Sequence, residues 1–107
     1  MPKSNRHEVE ILPRAEKDLK ALKQNRDQAT REILKLEDNP RLGHTLTGSL
    51  RGTRSLEFNL KGGGAYRAVY TILDDRRICV VFLVGPHENI YQEAERRWDS
   101  VRRKLGY

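Results

Sequence analysis

The chain has 107 residues, 36% of them hydrophobic and 34% charged, with 21 Lys and Arg against 15 Asp and Glu and a formal net charge of +6. That length suits one domain, residues 1–107, with a densely charged surface. The longest apolar run, Ile78 to Val84, falls far short of the roughly 20 residues that a membrane span needs, and its neighbours are too periodic for wholesale disorder.

No apolar stretch follows the basic start Met1 to Arg6, so a secretory leader is not expected and the cytoplasm is the expected compartment. A single cysteine, Cys79, excludes an intrachain disulfide and, inside the most apolar segment, reads as a small buried hydrophobe. The histidines His7, His44 and His87 are far apart and lack metal-ligand spacing, so neither a metal nor another cofactor is expected.

In chain order, His7 to Leu12 alternates with Val9 and Ile11 on one face and predicts a first strand, ended by Pro13. Ala15, Leu19 and Leu22 follow at helical spacing, then Ala29, Ile33 and Leu36, with Asp38-Asn39-Pro40 as the stop. Two short helices joined by a few polar residues predict an antiparallel hairpin that needs a sheet to lie on.

A loop spans Gly43 to Gly52. Leu56, Phe58 and Leu60 then alternate as a second strand, and Lys61-Gly62-Gly63-Gly64 is a hairpin tip, since it lacks the Lys-Ser/Thr ending of a phosphate-binding loop. Ala65 to Leu73 forms a third strand and Ile78 to Val84 a fourth, apolar enough to be buried on both faces. The turn acids Asp74 and Asp75 between them carry no catalytic expectation. Asn89 with Gln92 echoes a capping box, and Ile90, Ala94, Trp98, Val101 and Leu105 mark one face of a last helix, with Trp98 as a core anchor. The expected fold is α+β, with a four-stranded, antiparallel-rich sheet in the order β-α-α-β-β-β-α.

The excess charge is concentrated in the middle. Residues 39–73 carry Arg41, Arg51, Arg54, Lys61 and Arg67 against Glu57 alone, whereas the flanks are nearly balanced. Such a segment suits a polyanion, because Lys and Arg gain from neutralising phosphates.

The informative constellation is Arg67, His87 and Tyr91. A guanidinium among apolar strand neighbours is costly unless it meets an anion. His87 follows the buried strand at the sheet's rim, and Tyr91 starts the last helix. An RNA backbone can be cut without metal when one group removes the 2′-hydroxyl proton, another protonates the leaving oxygen and arginine balances the phosphorane charge. Taken singly, these residues also fit plainer roles: His87 in a loop, Tyr91 in packing, and Arg67 paired with Glu57 across the strands.

Four blocks carry a resemblance: Ile11-Leu12-Pro13-Arg14-Ala15-Glu16-Lys17-Asp18-Leu19, Leu46-Thr47-Gly48-Ser49-Leu50-Arg51-Gly52, Tyr66-Arg67-Ala68-Val69-Tyr70 and Val84-Gly85-Pro86-His87-Glu88-Asn89-Ile90-Tyr91. In this order, over nearly the whole chain, they resemble the RelE/ParE toxin superfamily. The resemblance implies the α+β fold above and a cognate antitoxin, acidic and partly disordered, that wraps around the toxin. RelE-like members cut mRNA on the ribosome, whereas ParE-like members inhibit DNA gyrase.

It further implies that Arg67 binds the scissile phosphate, that Tyr91 orients or activates the 2′-hydroxyl and that His87 is the general acid. Arg54, and more loosely Arg51 and Lys61, match further substrate-binding basic positions. The chain departs from the RelE-like pattern where Arg54-Ser55-Leu56-Glu57 replaces a lysine-rich strand. That leaves the base open among Tyr91, Glu57 and His44. Three functions stay open with it, a ribosome-dependent mRNA endoribonuclease, a gyrase inhibitor and an inert basic RNA-binding module, and the Arg67, His87 and Tyr91 set favours the first.

Overall fold

The computed structural model describes residues 6–88 and 90–106. In chain order its elements are β1 (Glu8–Ile11), α1 (Pro13–Lys20), α2 (Arg26–Leu34), β2 (His44–Thr45), β3 (Arg54–Leu60), β4 (Gly64–Leu73), β5 (Ile78–Pro86) and α3 (Ile90–Leu105). The sheet order is β1-β5-β4-β3-β2. β1 lies parallel to β5, and the other neighbours are antiparallel.

The α+β reading holds, with five strands rather than four. The added strand is β2, two residues inside the segment expected to be a loop, where His44 pairs with Ser55 and Thr45 with Arg54. Two residues are too few to show a period-2 pattern, so pairing of this kind is set by what the chain meets in space. The predicted cap at Asn89 lies outside the described residues. Leu22 and Leu36 fall just beyond the helices, next to and within short 3-10 turns.

Each face of the sheet has its own cover. Ala15, Leu19, Ala29 and Ile33 of the helical hairpin pack on Leu56, Phe58, Leu60, Ala68 and Tyr70. On the other face Ile90, Ala94, Trp98 and Val101 of α3 pack with Leu50 on Val69, Phe82 and Leu83. Trp98 stacks on Phe82 with ring centroids 5.6 Å apart, as a core anchor should. The hairpin tip between β3 and β4 places Gly62 and Gly64 at φ of 73° and 87°, a region open to glycine at no steric cost.

A bulge in β5 shapes the second face. Val69 pairs with Leu83 and Tyr70 with Val81, so Phe82 has no partner across β4. The extra residue lets Phe82 and Leu83 both join the core under α3. β1 stops at Ile11, opposite Val81, and leaves the outer backbone of β5 without a strand neighbour beyond that point. Side chains replace the missing ladder: the Val84 amide donates to Asp18 Oδ2 at 3.0 Å, and Arg97 Nη1 donates to the Phe82 carbonyl at 3.0 Å.

Candidate functional site

Strand register brings the central site residues together. Glu57 on β3 is paired with Arg67 on β4, which is paired with Gly85 on β5, so the three share one face. This is the α3 face. Tyr91 at the start of the helix lies over Arg67, whose guanidinium carbon sits 5.0 Å from the centroid of the ring. A Cβ at the opposing Gly85 would meet Ile90 at 3.5 Å, so the glycine leaves room for the start of the helix.

Arg67 Nη2 stands 3.3 Å from Glu57 Oε2. His44 on β2 brings its Nδ1 to 3.8 Å from the same oxygen. The side chain of Arg67 is 10% exposed, whereas Glu57 is 51% exposed. The charge is therefore sunk into the sheet while the carboxylate that faces it is open to solvent. Arg67 Nε is buried and has no hydrogen-bond partner among the described residues. A guanidinium with one N–H group unspent, a π-face against it and an exposed carboxylate beside it has the chemistry of an anion clamp next to a proton acceptor.

The other sequence-derived candidates lie apart from this group. His87 sits past the end of β5, exposed, and its backbone amide donates to the Ala65 carbonyl at 3.0 Å. It is at the same end of the sheet as Arg67 but makes no ion pair or side-chain hydrogen bond within the described residues. Arg54 alternates onto the opposite face and hydrogen-bonds the Gly43 carbonyl at 2.9 Å and the Arg41 carbonyl at 3.2 Å. Arg51 is exposed and lines, with Arg41, Thr45, Thr47 and Arg54, an open cleft of about 610 Å³. Lys61 is exposed at the hairpin tip, its amide bonded to Gln28 Oε1 at 3.0 Å.

Sequence reasoning passed over an ionic pair that joins α3 to α1. Arg97 and Asp18 bond twice, Nη1 to Oδ2 at 2.7 Å and Nη2 to Oδ1 at 3.2 Å, and Arg97 Nε reaches Glu93 Oε2 at 2.8 Å. Burial works against the charge on Arg97, but the bonds to Asp18 and Glu93 hold its pKa above the ordinary value. The hydrogen bond from Arg97 lowers the Glu93 carboxyl in turn. The signal was present in the pattern: Asp18 and Arg97 sit at i+3 from Ala15 and Ala94, inside the apolar stripes of their helices. Charges there must find partners.

Burial pushes the Cys79 thiol up to about 11, which fits a packing role. Among the described residues no group of three His, Cys, Asp or Glu could hold a metal ion, and no helix is long and apolar enough to cross a membrane.

Solved structures share this architecture. A free-state double arginine mutant of the E. coli toxin RelE is 24% identical, covers 86% of this chain and 97% of its own, and superposes with a TM-score of 0.68. The RelBE2 toxin–antitoxin complex from Mycobacterium tuberculosis gives 28% identity, 77% and 99% coverage and a TM-score of 0.65. The E. coli RelE mutant bound to a peptide of the antitoxin RelB gives 25%, 82% and 93%, and 0.61. No curated protein sequence matches the chain. A family model described as the ParE-like toxin of type II bacterial toxin–antitoxin systems matches residues 9–95, from β1 through most of α3. The chain belongs to that family: it is a type II toxin with the RelE fold.

Proposed function

We propose that this toxin is an endoribonuclease that cuts mRNA on the ribosome, without metal, by attack of a 2′-hydroxyl on the neighbouring phosphate. The observation that carries this reading is the buried Arg67 guanidinium, held between Glu57 at 3.3 Å and the Tyr91 ring at 5.0 Å, with an N–H group left unspent. A surface that only blocked another protein would have no use for a proton acceptor beside a buried phosphate clamp.

In this mechanism Arg67 binds the non-bridging oxygens of the scissile phosphate and stabilises the charge that builds on the phosphorane. Glu57 takes the 2′-hydroxyl proton, the 2′-oxygen bonds to phosphorus and the bond to the 5′-oxygen breaks. His87, on the rim, gives its proton to that leaving oxygen. The products are a 2′,3′-cyclic phosphate and a 5′-hydroxyl. Tyr91 orients the guanidinium through its ring, and its hydroxyl directs the nucleophile. Arg51 and Lys61 add positive charge along the path of the strand, whereas Arg54, on the other face with its guanidinium held by two carbonyls, takes no part in binding it.

The relatives solved as toxin–antitoxin complexes support a cognate antitoxin for this chain as well. An acidic, partly disordered segment fits the basic face, its carboxylates standing where phosphates would.

The deciding experiment maps transcript 5′ ends after brief expression. Cuts at fixed positions within codons, ending in cyclic phosphate and persisting in EDTA once ribosomes are protected by other cations, support the proposal. Intact transcripts with lost supercoiling would transfer the assignment to gyrase, and 3′-hydroxyl ends would indicate metal-assisted hydrolysis. Co-expression of an acidic partner encoded beside the toxin should abolish toxicity.

A further inference from the structure

His44 stands on a two-residue strand at the edge of the sheet, where two cross-strand pairs give little hold. The segment before it is nonetheless fastened at four points. The hydroxyl of the fully buried Tyr70 donates to the Pro40 carbonyl at 2.7 Å and accepts from the Gly43 amide at 3.0 Å. From the next strand Arg54 Nε donates to the Gly43 carbonyl at 2.9 Å and Nη2 to the Arg41 carbonyl at 3.2 Å.

Gly43 itself is drawn in so far that a Cβ there would lie 2.7 Å from the Ser55 carbonyl oxygen and 2.9 Å from Tyr70 Oη. Any side chain would push the strap away from β3. The residue that follows is His44, in register with Ser55 and with Nδ1 3.8 Å from Glu57 Oε2.

A tether this elaborate exceeds what a surface loop requires. Tyr70 could fill its place in the core as phenylalanine, and Arg54 spends a charge on two neutral carbonyls. We infer that Tyr70 and Arg54 are positioning residues that act through Gly43 to hold His44 against Glu57. The need arises from the shared carboxylate. Arg67 is ion-paired with Glu57 in the free protein and has to turn to the phosphate when RNA binds, which leaves His44 as the group that keeps the carboxylate in place. The catalytic consequence rests on the nuclease reading, whereas the strap itself does not.

The test reads the His44 imidazole by NMR at one fixed pH in the full chain, beside cleavage kinetics. In the wild-type background Glu57→Gln should move the His44 ring resonances. In the Tyr70→Phe background the same substitution should leave them unmoved, because His44 has left the carboxylate. Tyr70→Phe should also lower kcat on the order of tenfold with KM within about twofold, as expected when a reacting group is misplaced rather than lost. Gly43→Ala should reproduce both effects with Tyr70 and Arg54 intact. Arg54→Met carries the same measurements if Tyr70→Phe does not fold.

The proposal is overturned by a His44 that ignores Glu57→Gln in the wild type, by a Tyr70→Phe chain in which His44 still responds in full or kcat is unchanged, or by failure of all three strap variants to fold. Absence of cleavage by the wild type would remove the nuclease reading and leave the NMR comparison to decide the strap.

Discussion

The guanidinium carbon of Arg67 lies 5.0 Å from the centre of the Tyr91 ring, so a residue from the middle of a strand and one from the first turn of the last helix form a single unit. Ring and charge attract, and the attraction strengthens as water is excluded. Arg67→Ala should lower cleavage by on the order of a hundredfold or more, the scale of a lost transition-state donor. Arg67→Lys should recover little, because a point charge cannot reproduce the planar fork. Tyr91→Phe keeps the ring and should cost less than Tyr91→Ala. Single-turnover rates on programmed ribosomes check the series, and full activity in Arg67→Ala would end the nuclease proposal.

Glu57 makes a sharper discriminator. As the base, its replacement in Glu57→Gln should slow cleavage roughly a hundred- to ten-thousandfold. RNA binding should hold or tighten, since a negative charge 3.3 Å from the phosphate clamp is gone. Filter binding beside the rate separates the two effects. A variant that binds less RNA and cuts at the wild-type rate per bound complex would show that Glu57 only braces Arg67. His87→Ala should lower the rate by a similar factor if it is the acid, with folding unchanged because its side chain is exposed.

Core and ionic variants should fail through stability. Trp98→Ala removes the ring stacked on Phe82 and should cost about 3 to 5 kcal/mol. Arg97→Met leaves the half-buried Asp18 without its cation and the Phe82 carbonyl without a donor, at a cost of about 1 to 3 kcal/mol. The double variant Asp18→Leu/Arg97→Met should recover part of that loss. Urea melts measure all three, and equal stability of Arg97→Met and wild type would show the pair to be inessential.

The Glu93 carboxyl has a lowered pKa in the folded state, chiefly through the hydrogen bond from Arg97. Its contribution is present above the unfolded value near 4.3 and is lost as pH falls through the folded value. Acid melts should show Glu93→Gln losing less stability than wild type as the pH drops below about 4. Equal slopes would remove this contribution.

Cys79 behaves in the opposite sense. Its thiol is pushed up to about 11, so the stability it confers is whole below the unfolded value near 8.5 and declines as pH rises through 11. Folded protein at pH 8 should resist iodoacetamide while urea-unfolded protein is alkylated. Rapid labelling of the folded chain would contradict the burial of Cys79.

Much of the architecture was readable from periodicity. Val9 and Ile11, the Ala15-Leu19 and Ala29-Ile33 spacings, the alternation from Leu56 to Leu60 and from Tyr66 to Leu73, and the stripe through Trp98 are local patterns, and each side chain went to the face its period assigned. The Glu57–Arg67 pair was foreseen as one option because hairpin register is local too. The tertiary structure decided what depends on contacts far apart in sequence. It set β1 beside β5, left His87 outside the central group and brought His44 to Glu57 through a strap tied to Tyr70. Side-chain period is a property of a few consecutive residues, whereas the approach of His44 to Glu57 requires a glycine, a buried hydroxyl and a guanidinium from three separate segments to meet, and no window along the chain contains all three.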